Sequence, residues 1–254
     1  MIDLHCHILP GVDDGSPDMQ ESIVMAKRAV EAGITHIFAT PHHLNERYVN
    51  VKDDIIDCVF ELNECLQQEN IPLSVHPGQE LRIHRELFVS LEKGEVLTLD
   101  NTNKYLLLEL PSGHVPSYTQ ELIYELLLKG ITPIIVHPER NKELIENHNL
   151  LFKLVQEGAL TQLTSDSIIG IFGKNVKSFS KKIIENNLTH FIATDAHNVT
   201  SRGFTLQKAY ETITKAYGIE RTFYYKKNAE QLIRGQVPSI EIPIPFKKKF
   251  LGVF

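Results

Sequence analysis

Short apolar runs alternate with longer amphipathic segments through most of the chain. The short runs are rich in β-branched residues and predict strands, whereas the longer segments repeat apolar positions at helical spacing. Strands are predicted at 2–4, 36–40, 73–76, 105–110, 132–136, 160–164 and 190–194. This alternation is typical of repeated βα units around parallel strands, so the pattern predicts an α/β barrel of seven units.

Helices are predicted between these strands, with capping residues at several of their ends. Ser16 followed by Pro17 predicts the start of the first helix, and Gly33 predicts its end. The other helices are predicted at 52–69, 85–93, 118–129, 142–157, 176–186, 205–217 and 228–234. We expect one domain over 1–254, in which residues 238–254 form a tail packed along the barrel.

Composition and charge narrow the classes of function. The chain has 254 residues, of which 42% are hydrophobic and 23% charged, which suits one domain with a substantial core. A net charge of −6 gives no general attraction for a nucleic-acid backbone. The three cysteines lack paired spacing, and no apolar run resembles a signal peptide or a membrane span. We therefore expect a cytoplasmic protein that requires no nucleic acid and has no membrane span.

Residues able to bind metal ions follow nearly every predicted strand. The carboxyl ends of barrel strands meet at one face, so these residues are expected to converge there. Each one alone has an ordinary structural explanation, such as a hydrogen-bonded core histidine or an Asp-Gly turn. Together, five histidines and four carboxylates would be a costly arrangement without cations, and such mixed ligands suit manganese, iron or zinc. The set is His5, His7, Asp14, His42, Glu80, Glu109, His137, Asp195 and His197.

This ordered set resembles the ligand pattern of the PHP (polymerase and histidinol phosphatase) superfamily. The match runs from His5-x-His7 to Asp195-x-His197 and so spans nearly the whole chain. The resemblance implies a distorted TIM-like (β/α)7 barrel of the PHP type, with all nine side chains around three divalent metal ions. Asp13 is an alternative to Asp14, although the residue directly before the glycine fits the superfamily pattern better.

Longer stretches are similar to the CpsB/CapC family within that superfamily. They are HCHILPGVDDG at 5–15, HPER at 137–140, and DAHN at 195–198 followed by Arg202. The resemblance implies a manganese-dependent protein-tyrosine phosphatase. Its implied substrates are phosphotyrosine proteins, namely autophosphorylating bacterial tyrosine kinases of capsule and exopolysaccharide synthesis and their targets. Asp166 stands where many relatives have a small residue, and its loop is left unassigned.

The residues also predict a mechanism of phosphate ester hydrolysis. A metal-bridging water with its pKa lowered to about 7 is expected to supply the hydroxide that attacks phosphorus. Arg140 and Arg202 closely follow ligand motifs, and because a guanidinium fork matches two phosphate oxygens, both are predicted to bind phosphate. A surface salt bridge is the alternative for either arginine. His43 and His114 are candidate proton donors, but the sequence does not separate them from ordinary polar loop residues.

Two other functions remain open at this point. One is a small-molecule phosphatase, such as a histidinol-phosphate phosphatase, and the other is a non-catalytic docking module, which would be expected to lack some ligands. A thiol-based phosphatase is excluded, because Cys6, Cys58 and Cys65 each lack an arginine six residues later. A homo-oligomer is compatible with the sequence, which does not fix the oligomeric state.

Overall fold

The computed structural model describes residues 1–246, which alternate between strands and helices as predicted. The strands are β1 (Ile2–Cys6), β2 (His36–Ala39), β3 (His42–His43), β4 (Ser74–Pro77), β5 (Glu80–Arg82), β6 (Tyr105–Glu109), β7 (Thr132–Val136), β8 (Leu160–Thr164) and β9 (Phe191–Ala193). The helices are α1 (Met19–Glu31), α2 (Lys52–Gln68), α3 (Leu87–Glu92), α4 (Thr119–Leu128), α5 (Lys142–Glu146), α6 (His148–Gln156), α7 (Ser165–Ile169), α8 (Lys174–Glu185), α9 (Leu206–Tyr217) and α10 (Ile219–Ile233). All seven predicted strands are confirmed within two residues at either end.

The strands run parallel in two sheets that together form a distorted barrel. One sheet has the order β1-β2-β4, and the other has the order β3-β5-β6-β7-β8-β9. Since β3 follows β2 directly and β5 follows β4 directly, each pair is one strand that bends from the first sheet into the second. Beyond β9, Asp195 N donates to His5 O at 2.9 Å, and His7 N donates to Ala196 O at 2.8 Å. The barrel therefore has seven strand positions but does not close into one continuous sheet.

Two layers of buried side chains hold the barrel together. Successive residues of a strand point to opposite faces. Along β6, Leu107 belongs to the smaller apolar cluster inside the barrel, whereas Leu106 and Leu108 belong to the larger cluster that the helices cover. From α10, Ala229 and Leu232 complete the inner cluster. Each such buried leucine contributes roughly 1.5–3 kcal/mol to folding relative to an exposed one.

A buried carboxylate joins the first strand to the last. Asp3 is fully buried, and its Oδ1 accepts a hydrogen bond from Thr194 N at 2.8 Å while its Oδ2 accepts one from the Thr194 hydroxyl. Burial raises the pKa of Asp3 to about 6, although both hydrogen bonds favour the charged form. This link stands just before the strand ends that present His5 and Asp195.

The first helix begins later than the sequence predicted. Asp18, not Ser16, is the N-cap, because its side chain accepts a hydrogen bond from Glu21 N at 2.9 Å. The Ser16 hydroxyl instead donates to Asp18 O at 2.9 Å. Both residues are good N-caps, and the choice between them depends on how the preceding loop folds over the site.

Two other helix predictions were wrong in extent. The helix predicted at 142–157 is divided into α5 and α6, because Asn147 has a non-helical backbone with φ −121° and ψ 75°. The helix predicted at 228–234 is only the end of α10, which begins after Gly218. The short elements β3, β5 and α7 were missed, since two to five residues give too little periodicity to recognise.

Two hydrogen bonds connect the described part of the segment after α10 to α10 itself and to the end of α8. Ser239 N donates to Asn228 Oδ1 at 2.9 Å, and Ile244 N donates to Asn186 O at 2.9 Å. The rest of the predicted tail, Lys247–Phe254, lies outside the described residues. Among residues 1–246, no helix combines the length and apolar character needed to cross a membrane.

Candidate metal centre

The structure brings all nine predicted ligands together at the end of the barrel where the strands finish. His42 at the start of β3 and Glu80 at the start of β5 lie opposite each other in the paired strands. We call the nine side chains the ligand cluster: His5, His7, Asp14, His42, Glu80, Glu109, His137, Asp195 and His197. Seven of them fall into three overlapping groups whose candidate ligand atoms lie within 4.8 Å of one another. The other two, His137 and Asp195, contact members of these groups.

The first group consists of His5, His7 and Glu80, and its three ligand atoms face a common point together with one oxygen of Asp195. His5 Nε2 and His7 Nε2 are 3.2 Å apart. Glu80 Oε2 lies 3.4 Å from the first nitrogen and 3.3 Å from the second. Asp195 Oδ1 lies at the same two distances, 3.4 and 3.3 Å. Such spacing places two nitrogens and two oxygens where one cation could contact all four.

Hydrogen bonds fix which nitrogen of each imidazole faces that point. His5 Nδ1 lies 2.9 Å from Gln162 Oε1, and His7 Nδ1 lies 2.6 Å from Asp13 Oδ2. Both partners are acceptors, so both Nδ1 atoms are donors and the Nε2 lone pairs point into the cluster when the rings are neutral. A carboxylate or amide oxygen behind the ring is the usual support of a metal-binding histidine.

Asp14 belongs to a second group on the more open side of the cluster. Asp14 Oδ1 lies 3.5 Å from His42 Nε2 and 3.4 Å from His197 Nε2. His197 Nδ1 contacts Asp195 O at 3.0 Å, which again leaves Nε2 directed at the group. The carboxylate of Asp14 therefore faces two imidazoles directly, as a candidate ligand.

Asp13 has a different place from Asp14, behind His7. Besides its contact with His7, Asp13 accepts hydrogen bonds from His42 N at 3.0 Å and from Gly15 N at 2.9 Å. These contacts hold His7, the Gly15 turn and the start of β3 in place, so the geometry of Asp13 is that of a support for His7. Gly15 is required there, because a Cβ at this position would overlap the carbonyl oxygen and Cβ of His7.

An Asp13→Asn protein is expected to bind divalent ions about 10- to 100-fold more weakly than the native chain, since that is the usual effect of removing a support behind a metal-binding histidine. A chelator first removes bound metal, and calorimetric titration of the metal-free protein with a divalent ion then measures the affinity and the number of ions bound. Asp14→Asn should instead remove a ligand and reduce the number of ions bound at saturation. If Asp13→Asn instead bound fewer ions with native affinity, Asp13 would be the ligand and Asp14 the support.

The third group joins His42, Glu80 and Glu109. His42 Nδ1 lies 2.8 Å from Glu80 Oε2 and 3.9 Å from Glu109 Oε2. Glu80 Oε1 in turn lies 2.7 Å from His137 Nε2. Arg82, which sequence reasoning missed, forms an ion pair with Glu109, in which NH2 lies 3.1 Å from Oε2, and its NH1 donates a hydrogen bond to Leu110 O at 3.0 Å. It therefore holds the Glu109 carboxylate from outside the cluster.

The carboxylates of the cluster titrate very differently from one another. Burial, together with the nearby negative charge of Glu80, raises the pKa of Glu109 to about 7. Burial also opposes ionisation of Glu80 and Asp195. However, His5 and His42 around Glu80, and Arg140 and His5 around Asp195, lower both pKa values well below their usual range.

The pKa values of the cluster histidines also shift in opposite directions. Burial lowers the pKa of His137 to about 4, helped by the charge of Arg140. Burial also opposes protonation of His7, yet the carboxylate of Asp13 raises the pKa of His7 well above its usual value. A cluster that concentrates charge in this way is suited to cations.

Several buried polar atoms support the same fit. Within residues 1–246, His42 Nδ1, Glu80 Oε2, Glu109 Oε2 and His197 Nε2 make no hydrogen bond. His42 Nδ1 and Glu80 Oε2 approach closely but are not aligned as donor and acceptor. Leaving a buried polar atom unpaired costs about 1–3 kcal/mol each. Lone pairs directed at common points without protons between them are what metal ligands present, so these residues fit divalent cations.

Two cluster positions have a strained backbone. His137 has φ 36° and Asp195 has φ 53°, both in the left-handed region that non-glycine residues rarely adopt. Each such conformation costs about 1–3 kcal/mol and persists only where the surroundings impose it. Here it lets the chain turn sharply at the ends of β7 and β9, which aims both side chains into the cluster.

Arg140 and Arg202 converge on one oxygen of Asp195. Their guanidinium groups donate to Asp195 Oδ2 at 2.7 and 2.8 Å. Glu139 fixes the turn before Arg140, because its Oε1 accepts a hydrogen bond from Thr164 N at 2.9 Å. Asn198 fixes the turn before Arg202, because its Oδ1 accepts a hydrogen bond from Arg202 N at 3.2 Å.

Both arginines line a cleft of about 230 Å³ that opens onto the cluster. Its walls are His42, Glu80, Glu109, Leu110, Ser112, Val136, His137, Pro138, Arg140, Asn141, Asp195 and Arg202. The alternative of a surface salt bridge does not describe either arginine, since their common partner Asp195 is buried. An anion entering this cleft would meet two cationic side chains beside the candidate metal ligands.

The two candidate proton donors lie in different places. His43 is buried, and its Nδ1 accepts a hydrogen bond from Asn50 N at 3.2 Å. It alternates with His42 along β3 and so points away from the cluster. His114 is exposed in the loop that also contributes Ser112 to the cleft. Asp166, left unassigned from the sequence, is buried in α7 and accepts a hydrogen bond from Thr205 Oγ1 at 2.6 Å.

Known proteins are similar to this chain over its full length. Tyrosine-protein phosphatase YwqE of Bacillus subtilis (strain 168) is 48% identical over 255 residues that span both whole chains. The putative tyrosine-protein phosphatase CapC of Staphylococcus aureus is 41% identical over 259 residues, again across both whole chains. A crystal structure, from work on YwqE and on Streptococcus pneumoniae CpsB as unique metal-dependent tyrosine phosphatases, matches with a TM-score of 0.94 and 48% identity. It covers 98% of this chain and 100% of that one.

The family assignment rests on an independent match as well. The model of the family described as capsular polysaccharide synthesis, CpsB/CapC, matches residues 1–234. This range includes every member of the ligand cluster and both arginines of the cleft. The resemblance predicted from HCHILPGVDDG, HPER and DAHN is thereby confirmed. The chain belongs to the CpsB/CapC family.

Proposed function

We propose that this protein is a manganese-dependent protein-tyrosine phosphatase that hydrolyses phosphotyrosine on bacterial autophosphorylating tyrosine kinases and their substrates. The observation that supports it most is the convergence of nine candidate ligands with two arginines around one cleft. The similarity to YwqE and CapC favours tyrosine phosphate as the substrate. The family's link to capsular polysaccharide synthesis favours a regulatory place in that process.

The ligand cluster would hold three divalent ions in its three overlapping groups. Imidazole and carboxylate donors without thiolates suit manganese, with iron or zinc as alternatives. Bound divalent ions would lower the pKa of water to about 7, supplying hydroxide as the nucleophile, and would neutralise phosphate oxygens. Asp13 and Gln162 keep two of the ligand imidazoles in the orientation and tautomer that this requires.

Arg140 and Arg202 would bind the phosphate group of the substrate. Each uses one NH2 nitrogen for Asp195, so the remaining donors of both guanidinium groups are available in the cleft. Their fixed positions orient the phosphate before reaction and stabilise the negative charge that develops on its oxygens. A phenolate leaves with a pKa of about 10, which makes little demand on a dedicated proton donor.

The purified full-length protein is expected to hydrolyse a phosphotyrosine peptide in the presence of manganese. Chelation should abolish turnover, and manganese should restore it. Histidinol phosphate and single-stranded DNA should be hydrolysed at least about tenfold more slowly, because their leaving alkoxides are poorer than a phenolate. Phosphate release from each substrate measures this.

Three outcomes would contradict the proposal in different ways. Preference for histidinol phosphate would make the protein a small-molecule phosphatase. Higher turnover with iron or zinc than with manganese at full occupancy would overturn the choice of metal. Inertness towards every ester with metal fully loaded would instead indicate a docking module. Incubation with an autophosphorylated tyrosine kinase, monitored by loss of phosphotyrosine, tests the proposed protein substrate.

A further inference from the structure

We propose that Tyr48 and Phe172 form an aromatic rim at the mouth of the cleft that selects an aryl ester of phosphate over an alkyl ester. This inference rests on the proposed function, because it takes the phosphate to be bound at Arg140. It adds the residues that would recognise the organic side of the substrate. Neither residue belongs to the ligand cluster or to the walls of the cleft.

Phe172 lies directly beside the arginine end of the cleft. The guanidinium carbon of Arg140 stands over the Phe172 ring, 5.4 Å from its centroid. Phe172 is only partly buried, and its neighbour Ile171 is 56% exposed. Both occupy the short loop between α7 and α8, which is bounded by Gly170 and Gly173. Phe172 and Ile171 thus present apolar surface beside the partly buried side chain of Arg140.

Tyr48 packs beside His42, which lines the metal-ligand end of the same cleft. Its ring is nearly parallel to that of His42, with an interplanar angle of 8° and a centroid distance of 6.3 Å. The loop that presents it is closed by a hydrogen bond from Leu44 N to Tyr48 O of 2.9 Å. Tyr48 is partly buried, and Val49 next to it is 66% exposed.

The two aromatic side chains thus adjoin different walls of one cleft. His42 begins β3, whereas Arg140 follows β7, three strand positions further around the sheet. The phenyl ring of phosphotyrosine is attached directly to the ester oxygen. With the phosphate at Arg140, we place that ring at the mouth of the cleft, between the wall beside Phe172 and the wall beside Tyr48. A serine or threonine ester has no ring at this distance and would leave both faces in water.

The chemistry of the rim matches an aryl group. Aromatic rings attract one another at centroid distances of about 4.5–7 Å, in offset-stacked or edge-to-face arrangements. The rim contains no carboxylate or amide side chain to hydrogen-bond a polyol. The substrate class that this mouth recognises is therefore a phosphate monoester of a phenol.

Calorimetry on the manganese-loaded protein tests the rim by measuring the binding of phenylphosphonate and methylphosphonate. Neither compound is hydrolysed. Phe172→Ala and Tyr48→Ala should each weaken phenylphosphonate binding about 3- to 10-fold, the range expected for one aromatic contact. Methylphosphonate binding should change less than about twofold on the same scale. Phe172→Tyr and Tyr48→Phe should retain the preference, because each keeps a ring. Phe60→Ala, an equally large truncation on the exposed face of α2, is the matched control.

The outcomes separate the rim from the function on which it rests. Equal losses for both phosphonates in Phe172→Ala would mean that Phe172 only braces Arg140, and would overturn its part in recognition. Unchanged binding of phenylphosphonate in both alanine variants would overturn the rim altogether while leaving phosphate binding intact. Failure of the native protein to bind either phosphonate would contradict the proposed function itself.

Discussion

Glu80→Gln is expected to abolish turnover of a phosphotyrosine peptide, with a loss of about 1000-fold or more. Glu80 is the only member of the cluster that contacts four of its histidines, because Oε2 faces His5, His7 and His42 while Oε1 faces His137. Glutamine keeps the shape but replaces one of these oxygens by a donor without charge. Metal ions stabilise the transition states of such reactions by several kcal/mol, and each 1.36 kcal/mol corresponds to about a tenfold change in rate. A disrupted metal site should therefore lower the rate by about 1000-fold or more.

Metal content and thermal stability should change together with activity in this variant. An ion that binds only the folded chain raises its melting temperature, so manganese should stabilise the native protein. Glu80→Gln should show a smaller rise and fewer bound ions per chain. Glu64→Gln, on the exposed face of α2, makes the same chemical change far from the site and should behave as native. Full metal content together with native turnover in Glu80→Gln would remove Glu80 from the centre of the site.

The convergence of the candidate ligands was predictable because all of them except Asp14 lie at or shortly after a strand that the sequence reveals. His137 follows Ile134-Ile135-Val136, and Glu109 ends an apolar run, so the strand pattern alone placed both at one face. The resemblance to a known family then chose Asp14 over Asp13. What the sequence did not show was that Asp13 supports His7, because that depends on how the glycine-flanked loop folds back.

The missed residues share a physical cause. Arg82, Gln162 and Phe172 act through neighbours distant in sequence, and no local periodicity marks such contacts. Gln162 lies in the middle of β8, directly between Thr161 and Leu163, and the sequence there predicted only a strand. Arg82 follows Glu80 by two residues and was hidden by the failure to recognise β5. A polar side chain inside a buried parallel strand was the available signal, since such strands are usually apolar throughout.

Loss of either cleft arginine should lower catalytic efficiency without changing metal content. Arg140→Ala and Arg202→Ala should each lower kcat/KM for a phosphotyrosine peptide by about 100-fold, as loss of one donor to developing charge typically does. Metal content should stay native in both, because the remaining arginine still donates to Asp195 Oδ2. Arg28→Ala, which removes an exposed partner of Glu31 on α1, is the matched control.

The variant that combines Arg140→Ala with Arg202→Ala should also bind manganese more weakly, which neither single variant should do. Removing both guanidinium groups leaves the buried Oδ2 of Asp195 without its two donors, while Oδ1 still faces His5 and His7. A carboxylate ligand that loses such supports typically binds metal about 10- to 100-fold more weakly. We therefore expect manganese affinity to fall only when both arginines are absent, so that their effects on metal binding are not additive. If either single variant already lost metal, that arginine would act mainly by holding Asp195, and its place in phosphate binding would have to be given up.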